Sequence, residues 1–441
     1  MEDEVVIDTT PIIQELNASF ARQRRRQTNL LLALSVLVFS LTVLAWIYVR
    51  DEAPPWDGDL VGEKATANPA GPCPAPERLR QALEAARPSD AMELATRSPA
   101  LWDTPALSRL VGANAPAFAA MKDLSDIDWQ PAHPAWKTTD LGGNEQQWQA
   151  LGVAKEAAVA YYSRRGQDEA AMLGGMELAV LAQKLQSLSA WPTYYARGVE
   201  VHERACRAIA SMLRQASMDA RTLSNVQAEF ERLTPTDAML KARLYGFYEF
   251  ERRLIVGERP GDPWNEPVTA AMADHGRRLF FKPEQTLALF ASSMRELADQ
   301  TPRAATPVTH QITLRIGPPG LPTGFPGGPN RAGLRYANER IWQYAKLLDC
   351  LALQRTRHVL VLTLFGVRRY ALDHGRAPEK LEDLLPRYFN SLPADPYTGE
   401  PLHYDAAKGL VFSVGTNFKA EGGRANEDPL SDDTEPTVMV R

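Results

Sequence analysis

The hydrophobic residues of this chain follow three spacings, one after another. From Leu30 to Val49 they run together as LLLALSVLVFSLTVLAWIYV, with Ser35, Ser40 and Thr42 as the only polar interruptions. From about residue 77 to 300 they recur every three or four positions, the signature of helices with one apolar face. Leu178, Leu181, Ala182, Leu185 and Leu188 form one such stripe, and Val199, Cys206, Ile209 and Met212 a second. Leu223, Val226, Phe230 and Leu233 form a third, and Leu240, Leu244 and Phe247 a fourth. Thr234 and Pro235 open the fourth as a cap residue and a first-turn proline, and Pro283 opens a fifth through Leu287, Phe290, Met294 and Leu297. Breaks at Gly166, Trp191-Pro192 and Pro235 predict antiparallel neighbours joined by tight turns. No unit repeats at a period near 34 residues, so a tetratricopeptide-type array is not indicated.

The continuous run predicts a membrane helix. Twenty residues at about 1.5 Å each span about 30 Å, the thickness of a bilayer's hydrocarbon core. Arg22, Arg24, Arg25 and Arg26 precede it, whereas Asp51, Glu52, Asp57 and Asp59 follow Arg50. This asymmetry predicts an anchor with its N-terminus inside and its C-terminus outside, with Trp46 and Tyr48 at the outer headgroups. A cleaved signal peptide fits less well, because the apolar region is long and no small-x-small site follows Tyr48. A buried soluble helix would leave the arginine cluster without a purpose.

The flanking segments divide the rest. Residues 1–28 read as a cytoplasmic tail, 29–50 as the transmembrane helix, 51–76 as a proline-rich linker containing Cys73, and 77–300 as an exported helical domain. In an oxidising compartment Cys73 has the option of pairing between chains or staying idle. Between Ser125 and Gly143, Trp129, Pro131, Pro134 and Trp136 form a stretch that either clamps a partner or packs its tryptophans on the helices, with packing favoured. Residues 301–333 comprise a strand, His310 to Ile316, and a Pro/Gly-rich loop without the order or the lysine of a phosphate-binding loop.

Residues 334–441 form the last unit. A helix runs from Leu334 to about His374, capped by Gly375; a short helix covers Glu379 to Leu385. A turn follows at Asp395-Pro396-Tyr397-Thr398-Gly399, then a β-hairpin from Pro401–Tyr404 and Leu410–Val414 around Ala406–Gly409. At Tyr370, Asp373, Gly375, Pro378, Leu392, Pro393, Asp395, Pro396, Gly399, Pro401, Tyr404, Ser413 and Gly415 the chain resembles the soluble head of the type II secretion major pseudopilins, from about residue 370 to 433. The resemblance implies a calcium site in the acidic loop after Gly415, at Asn417, Asp428 and Asp432. It does not extend to the N-terminus, which lacks a prepilin-peptidase site and lies more than 280 residues from the head-like motif. A chain of this kind is not expected to polymerise as a pilin.

Composition adds limits. With 44% hydrophobic and 23% charged residues the chain is that of a folded protein, and a net charge of −5 argues against a general nucleic-acid binder. Three cysteines make neither a disulfide framework nor a four-thiolate zinc site. The seven histidines show no H-x-x-x-H pair; His202-Glu203 reads as a polar-face pair, Cys206 and Cys350 as small buried hydrophobes, and Glu249 to Arg253 as a helix face with local ion pairs. No G-x-S-x-G elbow occurs.

The expectation is a mainly α protein: one N-terminal transmembrane helix, an exported helical bundle or short α-solenoid, and a small α+β C-terminal unit with a β-hairpin. Its expected role is a non-catalytic scaffold or interaction protein of the cell envelope, anchored through Leu30–Val49 and binding a protein partner. An exported hydrolase with its site in the helical domain, where a Cys–His pair would serve, and a genuine secretion-apparatus subunit are the alternatives.

Overall fold

The computed structural model describes residues 10–50, 53–60, 73–88, 91, 102–122, 124–129, 145–188, 192–215, 217–256, 281–300, 330–423 and 436–440. The expected strand His310–Ile316, the Pro/Gly loop to residue 329, Trp136 and the acidic residues Asp428 and Asp432 lie outside them.

Among the described residues the fold is mainly helical, with one small sheet. The helices are α1 (Thr10–Val49), α2 (Ala75–Ala85), α3 (Thr104–Ala113), α4 (Ala115–Met121), α5 (Glu145–Arg164), α6 (Asp168–Ser187), α7 (Pro192–Gln215), α8 (Ala220–Arg232), α9 (Asp237–Ile255), α10 (Pro283–Gln300) and α11 (Arg331–His374). Helix α1 is longer than the apolar run and begins within the expected tail. Its stretch Gln23–Trp46 is long and apolar enough to cross a membrane, and none of it is buried against the rest of the protein. Leu30, Leu32 and Phe39 are 66–71% exposed.

The helices after residue 75 pack as the periodicity requires. Leu178, Leu181, Ala182, Leu185 and Leu188 are all buried, as are Cys206, Ile209 and Met212 on α7 and Leu287, Phe290, Met294 and Leu297 on α10. Two cores result. One gathers α2 to α8, Phe250 and Leu254 of α9, the second half of α11 and the sheet; the other gathers the rest of α9, α10, the first half of α11, Tyr195 of α7 and Leu60. Helix α11 therefore serves both, running over α7, α8 and α10 before it reaches the C-terminal sheet. The entry to α9 differs in detail from the sequence reading: its cap is Thr236, whose side chain accepts from Met239 N, and Thr234 is left for another role.

Helices α6 and α7 form the most extensive pair. Gly198 makes their approach possible, because a Cβ there would lie 2.8 Å from the Ala182 carbonyl and 2.5 Å from Gln186 Cγ. Gly198→Ala is expected to force this pair apart and to destabilise the protein by about 1–3 kcal/mol, despite alanine's better helix propensity. Thermal unfolding measures it, and an unchanged or raised melting temperature would show that the contact has room to spare.

The proline-rich segment after α1 is not a free tether where it is described. Leu60 is fully buried in the second core. Asp57 accepts from the Tyr248 hydroxyl at 2.8 Å and pairs with Arg252 at 3.1 Å. Asp59 pairs with Arg295, whose guanidinium also lies 5.6 Å from the Trp56 ring centroid. Lys282, at the start of α10, donates to the Arg50 carbonyl just past α1. These contacts seat the α9–α10 end of the helical body directly at the end of α1.

The C-terminal unit contains a three-stranded antiparallel sheet in the order β1 (His403–Asp405), β2 (Leu410–Phe412), β3 (Thr437–Met439). The first two strands are the expected hairpin; β3 was not legible as a strand. The expected short helix is a 3₁₀ turn, Leu381–Leu384. Gly375, at φ 68°, ends α11 in the left-handed conformation that glycine takes without steric cost.

Candidate functional site

The convergence of chemically active side chains lies where α7 crosses α11. His202 and Cys206 sit one helical turn apart on α7, so their side chains share a face. Cys206 belongs to the apolar stripe with Ile209 and Met212, and that stripe carries His202 into the core with it. From α11, His358 enters the same space at the start of the apolar patch Val359–Phe365. All three are buried, with 2% or less of each exposed. Their ligand atoms lie within 4.8 Å of one another.

Four short contacts run through the cluster in a line. The Thr234 hydroxyl is 2.7 Å from the Glu231 carbonyl and 2.9 Å from His358 Nε2. His358 Nδ1 is 3.1 Å from His202 Nε2, and Cys206 Sγ is 3.5 Å from His202 Nδ1. Counting protons assigns the tautomers. The one hydroxyl hydrogen of Thr234 goes to the Glu231 carbonyl, so Oγ1 accepts from His358 Nε2–H. The Nδ1 of a neutral His358 is then a lone pair that accepts from His202 Nε2–H. His202 Nδ1 in turn accepts from the Cys206 thiol. The Phe230 carbonyl is a further acceptor for the His358 ring, and Cys206 Sγ also lies 3.9 Å from His202 Nε2.

Neutral rings are what the surroundings favour. Burial pushes the His202 pKa down to about 3, and burial together with His202 holds His358 well below the usual histidine range. Burial also raises the Cys206 thiol well above its ordinary value. Phe230 stacks on His358 with ring centroids 4.0 Å apart and planes 11° from parallel. Beside the cluster, Arg357 pairs with Glu203 at 3.0 Å, and Glu203 with Arg207 at 2.8 Å. The expected His202-Glu203 polar pair is thus split: Glu203 faces the ion pairs, and His202 turns inward.

The sequence held one signal for this site, the four-residue step from His202 to Cys206 on a helix. A search for paired histidines passes over it. His358 is 156 residues further on and carries no local pattern.

The other chemically notable residues fall elsewhere. Asn417 lies in a short 3₁₀ turn, where Oδ1 accepts from Lys419 N and Nδ2 donates to Glu421; Asp428 and Asp432 are outside the described residues. Cys73 is half-buried, 3.3 Å from the Trp129 carbonyl. Trp129 is itself buried and donates from Nε1 to the Leu124 carbonyl, a packing role. Cys350 is exposed, contrary to the reading of it as a core residue. Glu251 is the largest departure. Glu249 does pair locally with Arg253, but Glu251 is fully buried and takes hydrogen bonds from Tyr336, Arg340 and Tyr344 of α11.

Against known protein families, curated proteins and solved structures, the chain gives no match.

Proposed function

We propose that this is a single-pass envelope protein whose bulk lies beyond the membrane, the periplasm in a diderm host, and serves as a scaffold for a protein partner. The observation that carries the reading is the exposed apolar helix, continuous with a folded body seated on its end. An apolar surface of that length, with nothing packed on it, is stable in water only at high cost and matches a bilayer in length. The arginines before it set the cytoplasmic side. Asp57, Asp59 and Lys282 then hold the helical body close to the outer headgroups, and Trp56, 74% exposed, stands where interfacial aromatics belong.

A non-catalytic role is supported by the condition of the reactive groups. The Cys–His pair that a hydrolase would use is present at Cys206 and His202. Its thiol, however, is fully buried and pushed toward the protonated form, so a substrate carbonyl has no route to a thiolate. The link to secretion machinery rests on the pseudopilin-like residues of the C-terminal unit, which would present the partner-binding surface at the end of α11.

The expected result is a full-length protein that stays in membranes under alkaline carbonate, keeps its first 28 residues by N-terminal sequencing, and activates a periplasm-only reporter fused after Val414. Release by carbonate, a processed N-terminus or a silent reporter would each overturn the anchored topology. For the role, crosslinking in membranes followed by co-purification should recover a stoichiometric envelope partner. Recovery of the chain alone, under conditions that retain known membrane complexes, would count against a scaffold.

A further inference from the structure

We infer that His202, Cys206 and His358 form a thiolate and bis-imidazole site for one late first-row transition metal ion, zinc or copper, that clamps α7 to α11. The first support is the donor set. Two imidazoles and one thiol are the ligands such ions prefer, and hard cations such as calcium or magnesium do not seek them. The second is the geometry. Tetrahedral zinc with nitrogen and sulfur ligands places its donor atoms about 3.3–3.8 Å apart. Here His202 Nε2 is 3.1 Å from His358 Nδ1 and 3.9 Å from Cys206 Sγ, and all the ligand atoms lie within 4.8 Å of one another. Reaching one ion asks the His202 ring to turn so that Nε2 rather than Nδ1 faces the sulfur, and the widest separation, up to 4.8 Å, to close by about 1 Å.

The third support is the setting of His358. A metal-bound histidine commonly donates its other ring nitrogen to a neighbouring oxygen, which fixes both tautomer and ring direction. Thr234 does this: its Oγ1 holds His358 Nε2–H and so turns the Nδ1 lone pair into the cluster. Phe230, flat against the same ring, stops it from rotating away. Capping of α9 falls to Thr236, so the Thr234 hydroxyl is not engaged at that helix end.

The proton balance is simple. Metal binding removes one proton, from the Cys206 thiol, and the resulting thiolate is the sulfur ligand. The His202 proton moves from Nε2 to Nδ1, freeing the Nε2 lone pair for the ion; the 3.5 Å contact between Nδ1 and the sulfur belongs to the metal-free arrangement and is given up on loading. One equivalent of metal therefore releases one proton. Three protein ligands leave room for at most one small further donor, and the burial of the site makes it a structural clamp rather than a catalytic ion. Because α11 carries the C-terminal sheet, the ion would couple the position of that unit to α7.

The test uses the full-length protein, purified in detergent, stripped with chelator and titrated separately with zinc, cuprous ion and cobalt. The expected result is one equivalent of tight binding by zinc or copper. Cobalt should show a thiolate-to-metal charge-transfer band in the near ultraviolet. The stripped protein should melt several degrees lower than the loaded one, and loading should release one proton. Cys206→Ser and His358→Gln should each weaken binding at least tenfold, and the first should remove the charge-transfer band. The cobalt spectrum and the melting shift are read on the wild-type chain, so they stand even if a variant fails to fold. Saturable binding by zinc alone or by copper alone supports the site and identifies its ion. Absence of a one-equivalent complex with both ions, or a complex that neither variant weakens, would overturn it.

Discussion

Glu251→Ala is expected to destabilise the protein by about 3–5 kcal/mol, the cost of breaking a buried ion pair from one side. Glu251 has no exposed surface, and three donors from one face of α11 converge on it: Tyr336, Arg340 and Tyr344, four residues apart in sequence. Removing the carboxylate leaves the Arg340 guanidinium, 11% exposed, without its 2.7 Å partner. It also leaves two phenols that burial has already pushed far from ionisation without an acceptor. Glu251→Gln retains a carbonyl acceptor but offers Arg340 an amide, so its loss should be smaller. A double variant, Glu251→Leu with Arg340→Met, should recover the part of the loss due to the stranded charge, because it removes both charges together, while the Tyr336 and Tyr344 hydroxyls still lack their acceptor. Chemical denaturation of the three variants decides it. If Glu251→Ala and Glu251→Leu/Arg340→Met lose the same amount, the pair carries little and the effect is one of packing.

That site also shows where sequence reading stops. The stripes that predicted α6, α9 and α10 are buried as expected, as is that of α7 apart from the partly buried Val199, because a helix with one apolar face has only one way to satisfy it. The same logic gave the apolar helix and the β1–β2 hairpin, whose turn residues are local. What was not legible depends on partners distant in sequence. Glu251 lies among Glu249, Arg252 and Arg253, and although it continues the buried stripe of Leu244 and Phe247, the partners that satisfy its charge sit on another helix. His202 was misplaced for a related reason. Its neighbour Glu203 suggested a polar face, whereas Cys206 one turn away marked the buried one. Strand β3 contains three residues, Thr437–Met439, and acquires its identity from pairing with β2, not from its own pattern.

A similar argument separates folding from ligand binding in the C-terminal unit, where polar groups between Asp373 and Val414 are tied mainly to one another. Asp373 accepts from the Tyr388 hydroxyl at 2.6 Å, and the Pro378 carbonyl accepts from the Tyr404 hydroxyl at 3.0 Å. Asp395, 1% exposed, is the centre of this net. Its carboxylate accepts from Tyr397 N at 2.9 Å, Ser413 Oγ at 3.0 Å and Val414 N at 3.0 Å, and so ties the turn at 395–399 to the end of β2. Asp395→Ala strands two buried amides and a hydroxyl at about 1–3 kcal/mol each, less whatever water recovers, for an expected total loss of about 3–5 kcal/mol. Asp395→Asn keeps one acceptor oxygen but turns an NH₂ toward donors, so it should fall between alanine and the parent. Because the net is local, hydrogen exchange should rise steeply from Asp395 to Gly415 and in β3 while α5 to α7 keep their protection. Uniform loss of protection would show that the sheet and the helical body unfold as one. Unchanged exchange would remove Asp395 from its central place. Either variant leaves Asn417 and the acidic loop chemically intact, so calcium titration on a folded Asp395→Asn protein would ask separately whether that loop binds an ion.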